Sequence, residues 1–172
     1  LIDVLPKLYD LKTIVEVNPW HNHQSVFDHT VSVVTAVERI YAFDFLFINS
    51  REAMHTYLAK EQYGYTLKEI SLYVALMHDI GKEKTLKVNT ATSETNCPDH
   101  ETVGATITER CLDRFGIGKR TVKRISKLVS LHGEIHKVVN TVLMKNEPEK
   151  EFALFKNRMK EEVSQDCGQE LG

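Results

Sequence analysis

The fold is decided by residues 66–82, which read TLKEISLYVALMHDIGK. A threonine followed three residues later by a glutamate has the capping-box form and predicts the start of a helix. The mostly apolar run that follows continues this helix, and Gly81 interrupts it. His78 and Asp79 therefore stand together at the last turn. At this position the aspartate side chain can point beyond the helix end, toward ligand residues on other helices.

The composition predicts one globular domain over residues 1–172, with its motifs at about 20–135 and a C-terminal helix at about 148–166. The chain is 42% hydrophobic and 27% charged, which is enough for a core. A formal net charge of -2 argues against a broad nucleic-acid surface. Three scattered cysteines predict neither a disulfide framework nor a cysteine zinc site, and they favour a cytoplasmic location. No apolar run is long enough to predict a membrane span.

The hydrophobic periodicity predicts an all-α protein whose site lies between the central helices of a bundle. At most, residues 85–88 form a short ribbon, and the polar residues 83–99 form a loop. The predicted helices are 1–17, 25–48, a third from an N-cap at Ser50 to Lys60, 66–78, one beginning at His100, 120–132 and one from Pro148.

Three histidines lie on the apolar stripes of their helices: His29, His78 and His132. A buried imidazole needs partners for its nitrogens, and a single one is usually a hydrogen-bonded core residue. Several on separate helices, one of them beside Asp79, favour convergence on a metal. Imidazole and carboxylate ligands suit divalent manganese, iron, cobalt, nickel or zinc. Such an ion acidifies a bound water and stabilises charge on a phosphoryl oxygen, which is hydrolase chemistry.

The chain resembles the HD-domain metal-dependent phosphohydrolases over about residues 20–135. The matching motifs, in order, are FDHT (27–30), HDIGK (78–82), DHE (99–101), GA (104–105), and LV followed by LH (128–132). Residues 23–30 are also similar to the HD domains of bacterial-type tRNA nucleotidyltransferases. The resemblance implies an all-helical fold with His29, His78 and Asp79 as metal ligands. It also implies that His100 and His132 lie in the site, where some members hold a second metal.

The sequence departs from the family pattern at its end, where a further aspartate is expected on a late helix. After His132 the chain offers only Asp166. Phe152, Phe155, Met159 and Val163 step by three or four toward it, so Asp166 could extend an inward-facing stripe and complete the ligand set. The alternative is a polar residue in a frayed tail, in which case water completes the coordination.

Further polar residues are candidates for substrate contact. Lys82 is predicted to act with Asp79 in catalysis by contacting a substrate phosphate, or else to be a solvated lysine at a helix end. His23 is a candidate for substrate contact; the alternative is that it is an ordinary turn residue. If one ion binds, His100 and His132 are expected to contact the phosphate. Three lysines aligned on one helix could bind RNA or could simply be solvated: Lys119, Lys123 and Lys127.

Three functions remain open on these observations. The first is a metal-dependent phosphohydrolase, a phosphatase or phosphodiesterase acting on a nucleotide or cyclic phosphate. The second is a catalytically reduced HD domain, an accessory or RNA-contacting module of a larger protein such as a tRNA nucleotidyltransferase. The lack of an initial methionine favours this second reading. The third is a purely structural helical domain whose histidines belong to the core.

Overall fold

The computed structural model describes the backbone of residues 5–18, 21–42, 48–145 and 148–168. Within this part of the chain, helices dominate and the strands are short, so the predicted all-α class is confirmed. The chain forms two compact units, Leu1–Ser130 and Leu131–Gly172. Each unit is described by itself below. No helix among the described residues has both the length and the apolar character that a membrane crossing requires.

The first unit contains seven of the described α-helices, the last of which ends one residue beyond it. They are α1 (Pro6–Asp10), α2 (Val26–Tyr41), α3 (Ile48–Leu58), α4 (Leu67–Met77), α5 (Lys82–Thr85), α6 (His100–Asp113) and α7 (Lys119–Leu131). A single 3₁₀ turn, Leu11–Thr13, follows α1. Three antiparallel strand pairs connect the helices: β1 (Val15–Asn18) with β2 (His21–Ser25), β3 (Glu61–Gln62) with β4 (Tyr65–Thr66), and β5 (Lys87–Val88) with β6 (Thr95–Asn96).

Helix α4 begins with the predicted capping box. The Thr66 hydroxyl accepts a hydrogen bond from the Glu69 amide at 3.2 Å, and the Glu69 carboxylate accepts one from the Thr66 amide at 2.8 Å. Both bonds satisfy amides that a helix N-terminus leaves without intrahelical partners. The helix ends at Met77 with His78 as its C-cap, as the sequence predicted. The histidine–aspartate pair is thus fixed at the helix end.

An apolar core lies beneath this helix end. Met77 and Ile80, on either side of the pair, are 0% and 1% exposed, and Ile125 and Val129 of α7 are both fully buried. Among the described residues, the buried members of this apolar core are Leu67, Ile70, Met77, Ile80, Leu112, Ile117, Val122, Ile125 and Val129. These side chains hold α4, α6 and α7 against one another.

The predicted first helix, residues 1–17, is wrong beyond Thr13. After α1 and the 3₁₀ turn the chain becomes extended, and β1 pairs with β2. Isoleucine and valine at positions 14, 15 and 17 are β-branched, which lowers helix propensity and favours a strand. Alternation is visible along β1, because Val15 is 40% exposed while Glu16 is only 4% exposed.

Other predicted boundaries are also corrected. The second helix begins after the N-cap Ser25 as expected but ends at Tyr41 rather than at residue 48. Helix α3 already begins at Ile48, so Ser50 lies inside it and is not its N-cap. The ribbon predicted at 85–88 is observed as β5, paired with β6 across a turn. The hairpin of β5 and β6 is joined to β1, because the Val17 amide donates to the Thr95 hydroxyl at 2.7 Å.

The second unit consists of two helices, α8 (Glu134–Lys145) and α9 (Pro148–Gly168). Arg158 of α9 makes a 2.8 Å ion pair with Glu134 at the start of α8. The late helix was predicted at 148–166, whereas α8 was not predicted. Several valines lower the helix propensity of α8, which weakens its sequence signal.

Candidate metal centre

Asp79 is the residue around which the candidate site is built. It follows the C-cap of α4, and its side chain is 2% exposed. The Nε2 atom of His78 lies 3.1 Å from Asp79 Oδ2, and the Nε2 atom of His29, on α2, lies 3.6 Å from the same oxygen. The two imidazole rings meet edge to face, with 5.4 Å between their centroids. One ligand atom from each of the three residues lies within 4.8 Å of the others.

This spacing fits a divalent ion. Metal–nitrogen and metal–oxygen bonds of about 2 Å place the ligand atoms of one ion about 3–4 Å apart. The distances from Asp79 Oδ2 to the two imidazole nitrogens, 3.1 and 3.6 Å, fall in this range. The donor set of two imidazoles and a carboxylate suits manganese, iron, cobalt, nickel or zinc. The spacing and chemistry of the three residues are therefore compatible with a bound transition metal.

Backbone carbonyls orient the imidazole rings of His78 and His100. The Nδ1–H of His78 donates to the Ala75 carbonyl at 2.8 Å. A carbonyl only accepts, so in the neutral ring the lone pair is on Nε2, the nitrogen that faces Asp79. His100, the first residue of α6, makes the same kind of bond to the Cys97 carbonyl at 2.7 Å. Such bonds fix the tautomer and ring orientation of metal-binding histidines.

His100 faces the other oxygen of the aspartate, with Nε2 3.5 Å from Asp79 Oδ1. Burial lowers the pKa of His100. Its hydrogen bonds to Asp79 and Cys97 and the charge of Glu101 outweigh burial, so that the pKa is raised overall. The imidazole is 17% exposed, compared with 2% for Asp79. It therefore combines a bias toward positive charge with access to solvent.

Lys82 lies on the buried side of Asp79. Its side chain is 5% exposed, and Nζ contacts Asp79 Oδ2 at 3.0 Å and Glu16 Oε2 at 2.5 Å. Burial lowers the pKa of Lys82, but the charges and hydrogen bonds of the two carboxylates raise it overall. The ammonium is thus held between two acids, here called the charged triad: Glu16, Lys82 and Asp79. The predicted contact between Lys82 and a substrate phosphate stays a prediction.

Glu16 was missed by the sequence analysis. Its carboxylate reaches the site from β1, 66 positions before Lys82. The available signal was an acidic residue inside an otherwise apolar segment, residues 14–17. Because this segment was taken for a helix, the alternation that buries position 16 was not recognised.

Two glycines bring α6 against the segment that carries Asp79. A Cβ on Gly81 would overlap the His100 carbonyl oxygen and would lie 2.6 Å from the Gly104 amide nitrogen. Real Cβ atoms do not approach backbone so closely. This close approach involves Gly104 of the GA motif, residues 104–105. It sets the separation between Asp79 and His100.

The roles of the other predicted site residues stay predictions. The side chains of His23 and Asp166 lie outside the described residues, although their backbones belong to β2 and α9. His132 follows α7 and belongs to the second unit, so its role stays a prediction. On α7, Lys119 and Lys123 are exposed and Lys127 is half-buried, all within the first unit.

Comparison with known families agrees with this geometry. The HD domain family model matches residues 26–162, which is most of the chain, and the chain belongs to the HD domain family. No curated protein matches the chain. HD domains bind divalent metals and are generally metal-dependent hydrolases. The resemblance inferred from the HDIGK run is therefore confirmed.

Proposed function

We propose that this chain is a metal-dependent phosphohydrolase, a phosphatase or phosphodiesterase that acts on a nucleotide or a cyclic phosphate. The observation that carries the proposal is the convergence of His29, His78 and Asp79 from two separate helical segments. Asp79 faces these imidazoles in addition to its charged partner Lys82, so the site offers one carboxylate and two imidazole nitrogens to a cation.

Each residue has a proposed role. His29, His78 and Asp79 bind one divalent ion, which supplies charge stabilisation for a phosphoryl oxygen and acidifies a water molecule. The two oxygens of Asp79 face different imidazoles, Oδ2 that of His78 and Oδ1 that of His100, so Asp79 would orient the attacking water relative to His100. The partly exposed imidazole of His100 donates a hydrogen bond to the substrate phosphate. Because Nδ1–H donates to the Cys97 carbonyl, Nε2 donates to the phosphate from the protonated ring, and a charged donor binds an anion more strongly.

One ion per chain is proposed, with a two-ion site as the alternative. A second divalent ion needs carboxylates to offset its charge, and Asp79 is the carboxylate whose two oxygens both face imidazoles among the described residues. In the alternative, His100 and His132 become ligands of the second ion. In the one-ion arrangement, Asp166 or water completes the ligand set of His29, His78 and Asp79. Metal stoichiometry under saturating manganese distinguishes the two arrangements.

The test compares the metal content and activity of wild type with those of His78→Ala. The matched control is His55→Ala, because His55 is exposed on α3. We expect wild type and the control to retain about one ion per chain and to hydrolyse part of a panel of nucleoside monophosphates and cyclic phosphates with manganese, cobalt or nickel. His78→Ala should lose both properties. Equal metal content in all three proteins would refute the proposal.

A second function is supported by the basic row on α7. Lys119 and Lys123 are exposed, and Lys127 follows at the same helical spacing. An accessory module that contacts RNA would bind through this row without turnover. Metal-independent binding of a single-stranded RNA, lost on replacing Lys119 and Lys123 by glutamine, together with no turnover of any phosphate ester, would favour this function.

A further inference from the structure

Lys82 and a metal ion compete for the same oxygen. The ammonium of Lys82 lies 3.0 Å from Asp79 Oδ2, and the two candidate imidazole ligands face that same atom at 3.1 and 3.6 Å. A cation bound among the imidazoles would therefore share an acceptor with a buried ammonium. In a poorly solvated site, repulsion between the two positive charges is only weakly screened.

Glu16 gives the ammonium a second partner. Its Oε2 atom lies 2.5 Å from Lys82 Nζ, closer than the aspartate oxygen, and the Glu16 side chain is 6% exposed. The carboxylate is held in place by β1, whose backbone is joined to β2 and, through the Val17 amide, to the hairpin of β5 and β6. Its position is thus set by four strands, β1, β2, β5 and β6, that carry none of the three candidate ligands.

We propose that Glu16 is a positioning residue that draws Lys82 away from Asp79 and so keeps the aspartate oxygen available to the metal. This inference rests on the proposed metal site and deepens it. Because the Lys82 ammonium also donates to Glu16, it depends less on Asp79 as a hydrogen-bond acceptor. It also adds a negative charge that partly offsets the divalent ion.

The proposal predicts opposite effects for the two members of one ion pair. Glu16→Gln leaves Lys82 with Asp79 as its charged partner within the triad, so metal affinity should fall, by about tenfold if Glu16 acts like other residues that support metal ligands. Lys82→Met removes the competitor and leaves the charge of Glu16, so metal affinity should stay the same or rise. A residue needed only for folding would weaken metal binding in both variants.

The experiment is a calorimetric titration of the whole chain with Mn²⁺ in wild type, Glu16→Gln, Lys82→Met and the double variant. Glu94→Gln is the control, because Glu94 is exposed on the hairpin that touches β1. We expect the loss caused by Glu16→Gln to shrink or vanish in the Lys82→Met background. An equal loss in both backgrounds, or wild-type affinity in Glu16→Gln, would overturn the proposal.

Two further measurements keep the outcomes distinct. Circular dichroism and thermal unfolding in chelator show whether each variant folds. If Glu16→Gln does not fold, Glu16→Asp replaces it. This variant retains the charge on a shorter side chain, so its metal affinity should fall by less than the loss expected for Glu16→Gln. Weaker metal binding in Lys82→Met than in wild type would overturn the proposal. If wild type itself binds no Mn²⁺, the proposed function fails together with this inference. If wild type binds and Glu16→Gln binds equally well, only this inference fails.

Discussion

The segment of residues 76–82 has two sides that are almost equally hidden from solvent but are held in opposite ways. On one side, Met77 and Ile80 enter the apolar core at 0% and 1% exposure. On the other side, Asp79 and Lys82 are 2% and 4% exposed and belong to the charged triad. The first side is stabilised by apolar packing and the second by paired charges. Burial alone therefore does not tell what a position contributes.

The difference has a physical basis. Apolar side chains gain free energy from leaving water and from close packing, in proportion to the area and volume that they fill. Buried charges cost free energy on leaving water, and that cost is recovered only through well-placed partners. The apolar core should therefore determine stability, and the charged triad should determine which cation the site holds.

The largest expected effect on stability belongs to Ile125→Ala in the apolar core. Ile125 is fully buried on α7, so its truncation should cost about 4 kcal/mol of unfolding free energy, through lost burial and a residual cavity. Metal affinity should be unchanged, because none of the three proposed ligands, His29, His78 and Asp79, is on α7. Urea unfolding and Mn²⁺ titration measure the two quantities. The matched control is Ile40→Ala, since Ile40 is 41% exposed on α2 and should lose little stability. A clear loss of metal affinity in Ile125→Ala would show that the two sides are not independent.

A smaller loss of stability, combined with a loss of metal affinity, is expected from Gly81→Ala. The new Cβ would overlap the His100 carbonyl and press on the Gly104 amide, which are backbone atoms that cannot rotate away. Overpacking of this kind costs about 3 kcal/mol and should move α6 away from Asp79. Unfolding in urea and Mn²⁺ titration again give the two numbers.

Gly118→Ala is the control for this substitution, because nothing lies within 4 Å of a Cβ at Gly118. Wild-type metal affinity in a destabilised Gly81→Ala would mean that the glycine contact supports the core but does not position the site.

The sequence predicted the parts of this arrangement that depend on local signals. The capping box at Thr66 and the histidine–aspartate pair at the end of α4 lie within 14 residues of each other, and both are found as expected. Helix periodicity also placed His29 and His78 on inward-facing stripes. Such signals can be read because the residues that carry them are neighbours on one helix.

The contacts missed by the sequence analysis are those made between distant segments. Glu16 and Lys82 are 66 positions apart, and no local pattern connects them. The error on residues 14–17 had a local cause as well, since a four-residue strand of mixed polarity has only two periods in which to show alternation. The overlap that a side chain at Gly81 would cause depends on the path of α6, which no local pattern around Gly81 predicts.

The smallest expected effect at neutral pH concerns Cys97, which lies beside the charged triad. Burial, followed by the charge of Glu16, raises the pKa of the Cys97 thiol from 9.0 to about 12. The unfolded chain thus loses this proton at lower pH than the folded chain. The contribution of Cys97 to stability is fully present below pH 9 and is lost as pH rises from 9 to about 12. At pH 8 the thiolate fraction should be about a thousandfold lower than in the unfolded chain, so iodoacetamide should react slowly with Cys97.

Mass spectrometry of the peptide that contains Cys97 measures this reaction in folded and urea-unfolded protein. The urea midpoints of wild type and Cys97→Ser, compared between pH 8.5 and 11, measure the effect on stability. We expect wild type to lose stability relative to Cys97→Ser as pH rises. Cys111→Ser is the comparison variant: burial also raises the pKa of the Cys111 thiol, but the nearby Arg114 and Lys7 charges lower it, so the effect should be smaller. Alkylation of Cys97 as fast in the folded protein as in urea would contradict the prediction. It would also show that burial and the charge of Glu16 do not protect the Cys97 thiol. That result would weaken the contrast between the apolar side and the charged side of residues 76–82.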